Sequence, residues 1–371
     1  MLFESKLTPP EIEGRLERVL LTVQKPGRYV GGELNITIKE WDSVKTHVAL
    51  VFPDIYDLGI SNMGIKILYD QVNQRTDSLA ERGYSPWLDM EAVMREKDIP
   101  LYSLESKHAL ANFEILGITL PYETLYTNAL NILDLAGIPL RTKDRGRDHP
   151  LVIAGGHACF NPEPMHAFID AFVIGEGEEI IHEIIDLYQS WKDKTTPRNV
   201  LLESLSQIPG LYVPSLFEHS YHEDGTIAKI TSRAKTAQTP ILKRLVGKLP
   251  PPPTNFIVPN IEVVHDRFTV EIMRGCTRGC RFCHAGMISR PIRERSVEEI
   301  VNAAEEAIRA TGYQQFSLMS LSSSDYTHIL ELVTALNSRF GDDHVTISLP
   351  SLRIDTVSVD LMDRLGSRKG T

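Results

Sequence analysis

The stretch Arg274-Gly275-Cys276-Thr277-Arg278-Gly279-Cys280-Arg281-Phe282-Cys283 sets three thiols in the spacing C-x3-C-x2-C. Four thiolates close a [4Fe–4S] cluster, whereas three on one loop hold three irons and leave the fourth open to a small molecule. Gly275 and Gly279 are expected to let the backbone pass close to the inorganic core. Upstream, Arg267–Met273 alternates well enough for a buried strand; downstream, Ser296-Val-Glu-Glu-Ile300 reads as an N-cap, a capping-box acid and a helix. The loop therefore leaves a strand and enters a helix.

Zinc is the other chemistry open to these cysteines. A Cys3His site would draw on His284 or a distant histidine, and structural zinc wants four protein ligands. His284 directly follows Cys283, which is awkward for one tetrahedral centre. Under that alternative the chain is a non-catalytic scaffold fragment that carries a cluster or zinc.

The three-cysteine loop resembles the radical S-adenosylmethionine (radical SAM) superfamily, whose signature C-x3-C-x-aromatic-C follows the first strand of a partial TIM-type barrel. The resemblance assigns Cys276, Cys280 and Cys283 as iron ligands and Phe282 as the aromatic lying against adenine. It implies a [4Fe–4S] cluster, S-adenosylmethionine on the open iron, and reductive cleavage to a 5'-deoxyadenosyl radical. A one-electron reductant such as a flavodoxin or ferredoxin is then required. In this superfamily the turn after the second barrel strand binds the methionyl amino group. Here Ser320, Ser322, Ser323 and Asp325 occupy that place, where hydroxyls and a carboxylate can accept ammonium hydrogen bonds. The competing expectation is that this run caps the next helix. Arg353 and Asp355, after a third strand at Val345–Leu349, face the same mouth or form a surface ion pair. His284, Arg290, Arg293 and Arg295 form either a positive rim or a solvated loop.

Ahead of the cluster loop lies a second module. An apolar strand over His47–Phe52 precedes an amphipathic helix from about Asn62 to Val72, and further strands are expected at Glu114–Thr119, Leu151–Ala154 and Ala171–Ile174. Strands alternating with helices predict a doubly wound parallel sheet, whose ligands sit at the strands' carboxyl ends. Two glycine loops fall there, Gly155-Gly156-His157 and Gly175-Glu176-Gly177-Glu178. On their own they suit a tight turn and an acid-capped helix start. Their order resembles the cobalamin-binding domain that precedes many radical SAM domains, which implies that Gly155, Gly156, Gly175 and Gly177 line a corrin. No Asp-x-His-x-x-Gly occurs, so no histidine is assigned to cobalt. Cys159 is expected in the core.

The fold class is thus α/β: an N-terminal Rossmann-like, cobalamin-binding-like domain followed by a partial radical SAM barrel. The expected divisions are an extension over 1–44, the Rossmann-like domain over 45–195, a linker with a hairpin over 196–260, and the radical SAM domain over 261–371. The hairpin is read from Leu211–Phe217 and Ile227–Ile230 flanking Asp224-Gly225, and Pro250–Pro253 is an extended connector. Stretches such as Arg290–Ser296, Ser320–Tyr326 and Ser348–Asp355 resemble, more narrowly, the radical SAM family with an N-terminal B12-binding-like domain. A barrel of this class has six strands and only three are legible here. Either the chain is a fragment or a second polypeptide completes the barrel, and the chain alone is expected to be poorly soluble or inactive.

Composition sets outer bounds. The 371 residues carry 39 basic and 49 acidic side chains, a net charge of −10, which gives no sign of a general nucleic-acid or membrane surface. Four cysteines, three of them in one loop, leave no disulfide framework. No export signal or run of about 18 apolar residues is legible, so cytoplasm is the expected compartment and no membrane partner is expected.

Overall fold

The computed structural model describes residues 7–192, 195–235, 237, 239–341, 344–356 and 358–366. They form two compact units: the described residues up to Gly32 together with Ile36–Val246, and Glu33–Asn35 with the described residues from Gly247 on. Residues 7–32 and 196–246 thus pack with the first unit.

The first unit is built on a six-stranded sheet of β1 (Thr46–Phe52), β2 (Ser78–Tyr84), β3 (Ile115–Thr119), β4 (Leu151–Gly155), β5 (Ala171–Val173) and β6 (Leu211–Tyr212), in the order β2-β1-β3-β4-β5-β6. All pairings are parallel except β5 with β6. This is a doubly wound order whose direction of growth reverses between β1 and β3, where such sheets open a crevice. Every residue of β1 is buried, as expected of a strand covered on both faces. Helix Met63–Asn73 starts where expected, with the Asn62 side chain accepting the Ile65 N–H at 3.0 Å.

Strand β2 does not announce itself in sequence, because Ser-Leu-Ala-Glu-Arg-Gly-Tyr carries two charges in its middle and yet is wholly buried. Tertiary partners satisfy them. The Arg82 guanidinium meets Glu105 at 2.6 Å, and Glu81 accepts the Ser106 hydroxyl at 2.6 Å. Nearby, the Trp41 ring stacks on His47 and His108, with centroids 3.6 and 3.5 Å away, and His108 meets the same Ser106 hydroxyl at 2.7 Å.

Burial works to raise the Glu114 carboxyl, but hydrogen bonds from His47 and Lys192 overcome it and hold the group at about 2. Because the folded value lies below the ordinary 4.5, the unfolded chain binds more protons between them. The stability Glu114 contributes is therefore present above pH about 4.5 and lost as pH falls towards 2. Glu114→Gln is expected to flatten the pH dependence of urea unfolding in that window by on the order of 2 kcal/mol, allowing for the half-exposed Lys192. An unchanged slope would count against the pair.

The hairpin expected from Asp224-Gly225 is present as β7 (Phe217–Tyr221) and β8 (Ile227–Ser232), with Gly225 at φ +83°. Its first strand does not begin at Leu211. Leu211–Tyr212 joins the large sheet as β6, and the chain then turns at Pro214–Leu216, where proline lacks the N–H that a continuing ladder needs.

In the second unit, β9 (Phe268–Glu271), β12 (Gln315–Met319) and β13 (Thr346–Ser348) form a parallel sheet in the order β13-β12-β9. Two-residue strands β10 (Met273–Arg274) and β11 (Arg293–Glu294) pair antiparallel between them. The crossovers carry helices Val297–Thr311 and Ile329–Phe340. Phe268 and Phe316 stack on the sheet at 5.1 Å, flanked by Phe256 and Phe340. Ser296 caps the first helix by accepting the Glu299 N–H at 3.2 Å. The reciprocal half of the capping box is absent, because the Glu299 carboxylate takes Arg295 instead.

Candidate cluster site

Parallel strands present their following loops at one edge, which is where α/β sheets keep their ligands. The cysteine loop follows β9, the serine run follows β12 and Arg353 follows β13. The long loop from Gly275 to Ile292 is closed at its base by the β10–β11 pair. Beneath it, the buried Glu271 carboxylate receives Arg274 through two contacts of 2.9 Å and Arg295 at 3.7 Å, while the Tyr326 hydroxyl donates to the Arg295 carbonyl at 2.8 Å. Arg295 is 4% exposed. That fits neither a positive rim nor a solvated loop: its charge is matched below the loop by Glu271 and Glu299.

Cys276 is buried, Cys280 and Cys283 are half-buried, and all three are free thiols. Each sulfur receives a donor: the Arg278 N–H to Cys276 Sγ at 3.4 Å, the Gly286 N–H to Cys283 Sγ at 3.3 Å, and the Arg353 guanidinium to Cys280 Sγ at 3.7 Å. Gly286 lies beside both outer cysteines, so that a Cβ there would stand 3.5 Å from Cys283 Sγ and 3.9 Å from the Cys276 Cβ. Three thiols on one loop with hydrogen bonds to sulfur are the donor set an iron–sulfur cluster uses, and those hydrogen bonds tune it. Among the described residues, no three histidine, cysteine, aspartate or glutamate side chains are gathered closely enough to hold a metal ion, the three loop cysteines included.

Gly275 does not face open space as expected of a glycine lining a cluster. At φ +93°, a Cβ would meet the Pro291 carbonyl at 2.7 Å and the Ser289 carbonyl at 2.9 Å, so glycine is required by the returning arm of its own loop. Gly279 does stand open, with nothing within 4 Å of its notional Cβ. Gly275→Ala is expected to destabilise the second unit by about 1–3 kcal/mol, read as a lowered urea midpoint. A midpoint equal to wild type would show that the loop yields.

Phe282 is 92% exposed. The serine run is turned inward: Ser320 and Ser323 hydroxyls lie 3.0 Å apart, and Ser322 donates to Asp325 at 2.7 Å. It does not cap the following helix, which begins at Ile329 after His328. The Asp325 carboxylate is gripped from both sides of the Arg278 guanidinium, Nε at 2.8 Å from Oδ2 and Nη2 on Oδ1. That contact, reinforced by Ser322 and opposed by burial, holds Asp325 at about 2, and it raises Arg278. The Arg278 side chain had no assigned role from sequence, since its partner lies 47 positions along the chain. Arg353 pairs with Asp355 at 3.0 Å while reaching Cys280.

In the first unit the glycine loops follow β4 and β5. Gly156, at φ +116°, presses on Leu120, where a Cβ would lie 2.5 Å from the carbonyl oxygen. Gly175, at φ +119°, presses likewise on the Arg244 backbone, and Gly177 on the Leu68 side chain. Gly155 has only Val173 nearby, at 3.8 Å. The close approaches at three of these four glycines are thus to the chain itself. Cys159 is buried, which pushes its thiol up, as a core residue's would be.

Residues 64–214 match the family described as radical SAM proteins, N-terminal, and residues 270–369 match the radical SAM superfamily. The chain belongs to the radical SAM superfamily. It is 26% identical over 330 residues to an uncharacterized protein of Methanocaldococcus jannaschii, covering 85% of this chain and 57% of that relative, so it spans little more than half the relative's length. Two structures of the cobalamin-dependent S-adenosylmethionine radical enzyme OxsB are similar to it. The one with aqua-cobalamin bound has a TM-score of 0.50 at 13% identity, covering 96% of this chain and 47% of that one. The one with aqua-cobalamin and S-adenosylmethionine has a TM-score of 0.47 at 14% identity, covering 82% and 38%. At such identity the first likeness shows the α/β fold. No helix among the described residues is long and apolar enough to cross a membrane.

Proposed function

We propose that this chain is the cofactor-binding part of a radical SAM enzyme, in which Cys276, Cys280 and Cys283 hold a [4Fe–4S] cluster whose open iron takes S-adenosylmethionine. The observation that carries this reading is the trio of thiols on one loop at the carboxyl edge of a parallel sheet, each sulfur with a hydrogen-bond donor. When bound, the cluster supplies the electron that cleaves the sulfonium to methionine and a 5'-deoxyadenosyl radical, which takes hydrogen from a substrate. The protein's part is to hold and orient. Phe282, exposed on the loop, offers a face for adenine. Arg353 brings positive charge to the sulfur of Cys280. The electron comes from a low-potential donor of the flavodoxin or ferredoxin kind.

The doubly wound unit is proposed as the seat of a corrin at its carboxyl edge, reached from Gly155 and its neighbours. Similarity to the fold of a cobalamin-dependent enzyme supports this. The test is anaerobic reconstitution with iron and sulfide, reduction, and electron paramagnetic resonance before and after S-adenosylmethionine is added. A reduced-cluster signal that shifts on addition is expected; one zinc with no acid-labile sulfide would defeat the proposal. Corrin absorbance in protein produced with cobalamin present checks the second cofactor separately.

A further inference from the structure

We infer that Asp325 acts through Arg278 as a positioning residue for the cysteine loop, and is not itself a ligand of the S-adenosylmethionine amino group; this rests on the cluster reading above. Arg278 is the hub of the loop. Its N–H donates to Cys276 Sγ at 3.4 Å, its carbonyl accepts from Arg290 at 3.2 Å, and its side chain reaches out of the loop to Asp325. Residue 278 lies two positions from both Cys276 and Cys280, so wherever its side chain is anchored, those two sulfurs follow.

The anchor is a two-point guanidinium–carboxylate contact, the geometry that fixes direction as well as distance. Asp325 is itself fixed by the Ser322 hydroxyl at 2.7 Å, and its Oδ2 accepts from both Ser322 and Arg278. The carboxylate's charge is therefore matched before any ligand arrives, and most of its acceptor positions are already taken by Arg278 and Ser322. Asp325 thus links the end of β12 to the loop after β9, and Arg353, on Cys280 Sγ and Asp355, makes a second link from the end of β13. Partners that orient metal ligands in this way typically matter by 10–100-fold in metal affinity.

The experiment compares wild type, Arg278→Gln, Asp325→Asn, the double variant and the charge-swapped Arg278→Asp/Asp325→Arg chain, all loaded anaerobically. Two readouts are taken: the rate at which iron passes to a chelator, and the affinity for S-adenosylmethionine followed by the cluster's paramagnetic signal. Each single variant is expected to lose iron about 10–100-fold faster, the double variant no faster than either, and the swapped pair to recover part of the loss. S-Adenosylmethionine affinity should change alike in the two single variants. If Asp325→Asn alone weakens S-adenosylmethionine binding while iron retention stays normal in both, the carboxylate is a direct ligand and the inference falls. Wild-type iron retention in all variants also overturns it. A wild-type chain that binds no iron and sulfide sinks the cluster reading as well, which keeps the two failures distinguishable.

Discussion

A chain in which alanine replaces Cys276 is expected to hold no intact cluster: iron and acid-labile sulfide fall to background, and with them any 5'-deoxyadenosine the wild-type chain produces. The size of the effect follows from the ligand count. A loop with three thiolates has no spare donor, so the loss of one leaves two. Cys276 is also the most buried of the three and receives the N–H of Arg278, so its loss leaves that amide without its sulfur acceptor. Cys276→Ser is expected to behave differently, keeping an oxygen donor at the same place and retaining a fraction of the iron. Serial measurement of iron, sulfide and the reduced-state signal checks both variants. A Cys276→Ala chain with wild-type iron and sulfide would show that the cysteine is not a ligand.

The second large effect belongs to the first unit and concerns stability. Asp170 is fully buried and receives Arg198 at 2.8 Å, Arg145 at 3.1 Å and the Val152 N–H at 2.8 Å. Arg145 is itself fully buried, a burial that lowers its pKa, and Arg198 is nearly so. Both guanidiniums also donate to main-chain carbonyls, among them those of Phe168 and Pro150. Those carbonyls carry no net charge, so Asp170→Asn would leave two buried cations with no anion. Breaking a buried pair by removing one partner costs about 3–5 kcal/mol. Against a total stability of about 5–15 kcal/mol for a typical domain, that is a large share. Urea unfolding followed through the first unit's tryptophans should show it as a lowered midpoint with a similar slope. A change under about 1 kcal/mol would mean that water reaches the site in solution.

Where local chemistry decides the outcome, the sequence is readable. The apolar run of β1, the helix that starts after Asn62, the Ser296 cap and the Asp224-Gly225 turn depend on a few neighbouring residues and stand where those residues predict. β2 and the Leu211 segment are the counterexamples. Glu81 and Arg82 look unsuited to a buried strand until Glu105 and Ser106 are folded against them. Leu211–Tyr212 reads as half a hairpin until the edge of β5 offers it a partner.

The candidate site divides along the same line. Three thiols with one spacing need only the eight residues from Cys276 to Cys283, so their chemistry is written in the chain itself. The hold of Arg278 on Asp325, the buried pairing of Arg295 with Glu271, and the demand for glycine at 275 and 156 are set by groups far along the chain or by backbones that meet only after folding. Short-range covalent order determines which atoms can bind iron. Which charges are matched and where a Cβ has room depend on long-range packing, and only the tertiary structure decides them.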